Sequence, residues 1–305
     1  MKMKLKNSLS SSEKKFAEQL EKKVVQTISK YKLLSKKDRV AVGISGGKDS
    51  TTALFILKKL GYNVEAITID VLMGKYTEQN LANLKKFCKE IGVKLHIVSF
   101  RQTIGCSICY ALASLKSKGH KLKSCTVCGV IRRYLLNKQA RKIGATVVAT
   151  GHNLDDEAQT IFMNLLRNTT SLNLRIGPKP GIVRDKKFVP RVKPLFFIPE
   201  KDIEKYSKFM NFPVIYGRCP CGIESARSGV RKFLDDYEQL SPGIKQKIVS
   251  NFLKLLPRLK KEFSKSHEKK FGASETKMLH CTSCGEPSTQ KTCRVCQLLE
   301  RLKAS

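Results

Sequence analysis

Acidic residues are scarce in this chain of 305: 25 Asp and Glu stand against 59 Lys and Arg, a formal charge of +34. That excess goes far beyond what solubility requires. It disfavours self-association and attracts polyanions, nucleic acid above all, because each neutralised phosphate releases counterions. Long apolar runs are missing as well. No stretch approaches the roughly 18 residues of a spanning helix, so no membrane span is expected. The N-terminal MKMKLKNSLSSSEKK has no apolar h-region and does not read as a secretory signal. A reducing cytoplasm is then the expected compartment. The 11 cysteines, an odd number, point there to metal or redox chemistry rather than to disulfides. No cysteine precedes Cys88, and no internal repeat is longer than the cysteine pairs.

Hydrophobic residues, at 41%, suffice for a sizeable core in one large domain or two smaller ones. Ser10-x-x-Glu13 has capping-box spacing and opens a basic amphipathic helix with Phe16, Leu20, Val24 and Ile28 at helical intervals, ending near Leu34. RVAVGIS (39–45), VEAITID (64–70), VKLHIVSF (93–100) and TVVAT (146–150) read as strands. Helical patterns follow the first loop, precede Gly92, cover 129–144 and continue from Asp155. Strands alternating with helices imply an α/β fold, a doubly wound parallel sheet. The proline-rich basic segment 173–194 reads as a loop or hairpin, and 199–262 as mostly helical. The expected organisation is a basic N-terminal helix (1–37), a core domain with a cysteine insert (38–218), a helical extension (219–262), a polar linker (263–279) and a separate cysteine module (280–305).

GISGGKDS (43–50) carries the glycines of a phosphate cradle but is one residue short of the usual nucleotide-loop spacing, and Asp49 stands where that loop has Ser or Thr. It lies between a strand end and a helix start, where doubly wound sheets bind ligands and helix N–H groups face anions. Gly46 and Gly47 let the backbone approach phosphates, Ser45 and Ser50 offer hydroxyls, and Lys48 offers charge. Asp49 would repel phosphate unless Mg²⁺ stands between them, which implies a metal-bridged pyrophosphate held as leaving group.

SGGKDS resembles the PP-loop of the N-type ATP pyrophosphatases, which split ATP between its α and β phosphates. Alone, it would leave NAD synthetase-like and lysidine synthase-like enzymes open. CTVCGVIRRYLLN (125–137), TGHNLDDEAQT (150–160), Cys219-Pro220 before a basic helix, and CTSCGEPSTQKTCRVCQLLE (281–300) narrow the resemblance. Together they are similar to the tRNA 2-thiolation enzymes, of the TtuA and wobble-uridine thiolase groups, with TtcA more distant. The similarity runs from about residue 37 to 300. It implies an ATP-dependent tRNA uridine 2-sulfurtransferase: ATP adenylates the uracil O2, sulfide attacks C2, and AMP leaves. Gly151 is then expected against the nucleotide, Asp156 as the catalytic aspartate, and Arg132 at the place of a catalytic lysine. Arginine cannot shuttle a proton at neutral pH, so charge stabilisation is its expected role. From the residues alone, Asp155 and Asp156 also fit helix N-capping, and His152 reads as structural. The resemblance further implies a ubiquitin-like thiocarboxylated sulfur carrier. Oligomeric state stays open, a homodimer included.

Cys281, Cys284, Cys293 and Cys296, two C-x-x-C pairs eight residues apart, have the pattern of a tetrahedral Zn²⁺ ribbon. The family's N-terminal ribbon has no counterpart here. For the other cysteines two arguments compete. Spacing alone fits a second zinc site from Cys106, Cys109, Cys125 and Cys128. The resemblance instead assigns Cys125, Cys128 and Cys219 to a [4Fe-4S] cluster with one open iron. Cys106, Cys109 and Cys221 have no family counterpart, and one of them could supply a fourth ligand. Cys88 beside Phe87 reads as a buried thiol. The alternatives are a PP-loop tRNA-modifying enzyme without sulfur chemistry, and a zinc-dependent RNA-binding protein that takes ATP only as a ligand.

Overall fold

The computed structural model describes residues 9–120, 122–181, 185–217, 219, 226–271 and 278–303. Helix α1 (Ser11–Lys30) starts at the expected capping box: Ser10 Oγ accepts from Glu13 N, and Glu13 accepts from Ser10 N. It ends short of Leu34 because Lys32 turns left-handed at φ 47°. Leu33 N then donates to Ile28 O and Lys32 N to Ser29 O, a Schellman closure.

Chain order continues as β1 (Arg39–Gly43), α2 (Lys48–Lys59), β2 (Asn63–Asp70), α3 (Lys75–Glu90), β3 (Leu95–Ser99), α4 (Phe100–Ile104), α5 (Ile108–Ser117), α6 (Ser124–Lys142), β4 (Val147–Thr150), α7 (Leu154–Leu166) and β5 (Arg191–Val192). The five strands are parallel, in the order β3-β2-β1-β4-β5. The expected doubly wound sheet is present, and β5 corrects the expectation for 173–194. That segment ends in a short edge strand, where Pro190 O still accepts from Val148 N. Helices α4 and α5 inside the cysteine insert were not anticipated.

Both faces of a parallel sheet need apolar cover. On one face Val40, Val42 and Ala66 pack with α1, α2, α3 and α8 (Glu200–Phe209). On the other, Ala41, Ile67 and Val148 pack with α4, α5 and α6. A third core joins α7 to α9 (Ala226–Leu240) and α10 (Ile244–Phe271) through Ala158, Leu234 and Val249. The segment expected as linker, 263–279, therefore opens as helix, and 272–277 lie outside the described residues.

The C-terminal module comprises β6 (Leu279–His280), β7 (Pro287–Ser288) and α11 (Arg294–Lys303). It does not stand apart as expected: Cys281, Cys293, Val295 and Leu298 share a core with Ile131 and Leu135 of α6. Among the described residues, no helix is long and apolar enough to cross a membrane.

Candidate nucleotide and metal sites

In a parallel sheet with antiparallel connecting helices, strand C-termini and helix N-termini meet at one edge. That edge gathers the loop after β1, the turn between β4 and α7, and the start of α6 with Cys125 and Cys128.

The loop is shaped by close approaches. Gly46 has φ +87°, and a Cβ there would sit 2.6 Å from Asn80 Oδ1. Ser50 Oγ donates to Gly47 O at 3.2 Å and accepts from Ser45 N at 3.1 Å. The Ser50 hydroxyl thus closes the loop on itself, while Ser45 is exposed. A Cβ on Gly151 would lie 2.6 Å from Ser50 N and 2.7 Å from Ser50 Cα. Gly151 therefore packs against the start of α2, a tighter constraint than the nucleotide contact expected from sequence. Gly151→Ala should cost about 3 kcal/mol, because backbone cannot yield to an inserted methyl. Gly229→Ala, in open helical space, should hold or raise stability. Urea denaturation midpoints of the two variants check this.

Lys48 Nζ binds Glu200 Oε1 at 2.7 Å and Asp49 Oδ2 at 3.4 Å. Burial works against its charge, but Asp49 and Glu200 outweigh it and raise its pKa. Asp49 is raised by burial first, then by repulsion from Glu200 and Asp156, with Lys48 opposing. Asn153 Nδ2 donates to Asp49 Oδ1 at 3.1 Å. Glu200 continues to Arg231 at 3.4 Å. Thr51 Oγ1, one residue past the loop, is buried without a hydrogen-bond partner.

Asp156 forms a capping box with Asn153 (Asp156 N to Asn153 Oδ1, 3.0 Å; Asn153 N to Asp156 Oδ2, 3.3 Å). It also faces Arg227 at 3.6 Å. Asp155 is a structural anchor: it accepts from Glu200 N at 2.6 Å and from Lys245 Nζ at 2.5 Å. His152 is exposed, with Nδ1 bonded to Thr150 Oγ1 at 2.9 Å. Desolvation by the surrounding protein draws its pKa down to about 4, against the pull of Asp156 and with help from Lys193, Arg227 and Arg191.

Electrostatic neighbours continue from Arg191 to the cysteines. Arg191 is lowered by burial and by Arg133, and Arg133 by burial with Cys128 opposing. Cys128 is raised by burial, lowered by Arg132, and raised again by Cys219 and Cys125. Sequence reasoning missed Glu200, Arg133, Arg191, Arg227 and Asn80. Of these only Arg133 lies in a motif, CTVCGVIRRYLLN (125–137), beside the Arg132 that was singled out, while Arg227 falls in the basic helix after Cys219.

The C-terminal thiols fit one tetrahedral ion. Cys281, Cys284, Cys293 and Cys296 have ligand atoms all within 4.8 Å. Cys284 Sγ and Cys293 Sγ are 3.7 Å apart, beside an edge of about 3.8 Å for Zn–S bonds of about 2.3 Å. Cys293 N donates to Cys281 Sγ at 3.2 Å. Burial resists ionisation of Cys281, but the N–H groups of Cys293, Cys284 and Ser283 bring it down to about 6. Among the described residues this is the one group of its kind, so Cys106 and Cys109 do not close a similar set with Cys125 and Cys128. Cys125, Cys128 and Cys219 are also wider than that limit. A cluster, unlike a single ion, holds its thiolates across several atoms. Cys221 lies outside the described residues. Cys88 is buried, and desolvation pushes its thiol up to about 11.

The PP-loop domain family matches residues 13–216. The tRNA-5-methyluridine(54) 2-sulfurtransferase of Pyrococcus horikoshii is 34% identical over 285 residues, 93% of this chain and 86% of that protein. Cytoplasmic tRNA 2-thiolation protein 1 of Caenorhabditis elegans is 33% identical over 297 residues, 94% and 74% of the two chains. The solved U34-tRNA thiolase NcsA of Methanococcus maripaludis, with its [4Fe-4S] cluster, superposes at a TM-score of 0.76 and 28% identity, covering 96% of this chain and 90% of that one. A PP-loop at the head of a parallel sheet and relatives along nearly the whole length agree: this chain belongs to the PP-loop family of tRNA 2-thiolation sulfurtransferases.

Proposed function

We propose that the protein is an ATP-dependent tRNA uridine 2-sulfurtransferase, in which the loop 43–50 takes ATP and Cys125, Cys128 and Cys219 hold a [4Fe-4S] cluster. The observation that supports this is the series of electrostatic neighbours that runs from Cys128 through Arg133, Arg191, His152 and Asp156 to Asp49. It favours a reading in which the thiols and the loop serve one site. The NcsA likeness, with its cluster, supports the same assignment.

Lys48 and the first N–H groups of α2 receive the pyrophosphate as it leaves. Asp49, raised by burial and then by its acidic neighbours, would hold Mg²⁺, whose charge would offset its repulsion of phosphate. The uracil O2 attacks the α-phosphorus, the α–β bridge breaks, and pyrophosphate departs. Sulfur then adds at C2, the C2–O2 bond breaks, and AMP leaves with that oxygen. When bound, the cluster supplies an open iron that carries the sulfur. Asp156 meets the substrate or its metal, held in place by Asn153 and Arg227. Arg132 and Arg133 keep positive charge beside the thiols. His152, neutral at pH 7, adds no charge beside Asp156. Zinc in the C-terminal set fixes that module's fold. The sulfur donor is a ubiquitin-like thiocarboxylate carrier, and the reaction runs in the cytoplasm. The assignment is to a tRNA uridine, since the relatives' names divide between positions 54 and 34.

With a charge of +34, tRNA affinity should fall about 10³-fold between roughly 50 and 200 mM salt, as several phosphate contacts require. Filter binding across that range tests it, and a flat response would assign the lysines elsewhere. The activity itself is tested by anaerobic assay of the reconstituted protein with tRNA, ATP and sulfide. Thiolated uridine and AMP are the expected products, and AMP without thiolated nucleoside would overturn the sulfur step.

A further inference from the structure

Helix α6 carries apolar residues on every side, among them Val127, Val130, Ile131, Leu135, Leu136 and Ala140. Apolar residues on opposite flanks of a helix each need cover. The sheet supplies one. The C-terminal module supplies the other, through Val295 and Leu298 of α11 and the thiols Cys281, Cys293 and Cys296.

Polar bonds fix the register of this contact. Arg141, in the last turn of α6, forks onto Glu286 with NH1–Oε2 at 2.8 Å and NH2–Oε1 at 2.5 Å. The Lys187 carbonyl accepts from Arg141 and from Asn137, each at 2.8 Å, while Lys187 Nζ donates to Gly285 O at 2.6 Å. Tyr134, midway along α6, packs against the same core as Cys284. Hydroxyl donors to metal thiolates orient the ligands and tune the site.

We infer that α6 is shared by two metal centres: its N-terminal end presents Cys125 and Cys128, its outer flank is held by the C-terminal four-thiolate module, and Tyr134 belongs to that module's metal site. The inference rests on the cluster reading of Cys125 and Cys128. The module is too small to stay folded without its ion. Losing the ion uncovers the outer flank of α6, and the cluster ligands lose their fixed placement although none of them touches zinc. Tyr134, Arg141 and Glu286 are positioning residues in this arrangement.

Anaerobically reconstituted full-length protein, loaded with zinc and cluster, is titrated with a zinc chelator while released zinc, retained iron and the cluster's visible absorption are followed. The cluster is expected to bleach in step with zinc release, and to survive the same chelator when zinc is kept saturating. Tyr134→Phe, which keeps the ring and the fold, should weaken zinc binding about 10–100-fold and lose iron in parallel. Excess zinc alone should return its iron retention to that of the parent. Glu286→Gln should show the same paired loss in smaller measure. Zinc leaving with the cluster intact would overturn the inference. A protein that takes up no iron before any chelator is added overturns the cluster reading, and the inference with it.

Discussion

Replacing Lys48 with alanine is expected to lower AMP formation at least about 10²–10³-fold, the loss typical of removing one donor aimed at developing charge, while tRNA affinity stays within a few-fold. The side chain lies at the start of α2, 16% exposed, and its contacts are with Glu200 and Asp49. In the proposed function it meets pyrophosphate rather than RNA. AMP release and tRNA binding are measured on the same preparation, with the thermal midpoint as a check that the fold persists without the Lys48–Glu200 pair. Undiminished ATP turnover would sink the nucleotide assignment.

Anaerobic protein is expected to contain about four irons and one zinc per chain, and Cys219→Ala should strip iron and activity together. Cys106→Ala should leave both near the parent's. Cys128 has Cys125 and Cys219 as charge neighbours, whereas only burial acts on Cys106. The rival outcome is equally definite: about two zincs, little iron, and a Cys106→Ala variant as disrupted as Cys125→Ala, since a structural site does not survive the loss of one thiolate. Two zincs without iron after reconstitution would end the proposed mechanism.

Four of the five strands are legible as apolar runs, because each is long enough to show itself. β5 is only two residues, Arg191–Val192, among prolines, and its identity comes from pairing with β4. Helices α4 and α5 are too short for periodicity to separate them from the loop around them. In the site, the residues adjacent in sequence were legible: the loop 43–50, the turn at 150–156, the cysteine pairs. The residues brought from elsewhere were not. Glu200 reaches Lys48 across 152 positions. Arg133 lies next to Arg132, and nothing in one sequence says which of two neighbouring arginines acts on the cysteines; both do, by charge on Cys128. Apolar residues on opposite flanks of α6 were readable and signified a second covering layer, although the polar stretch 263–279 had suggested a linker to a separate module.

The Lys48–Glu200 contact bears on how the two substrates respond to ionic strength. Lys48 already holds an anion, and the carboxylate that holds it has Arg231 as its second partner. A phosphate arriving at Lys48 therefore replaces one internal counter-anion by another. No bulk ion is freed by that exchange, so it adds nothing to the salt slope that counterion release produces. Exposed lysines that meet RNA carry only solution ions and give them up on binding. Physiological changes in salt should thus retune how long tRNA stays while leaving nucleotide occupancy nearly constant, a division of sensitivity set by a single glutamate at the start of α8.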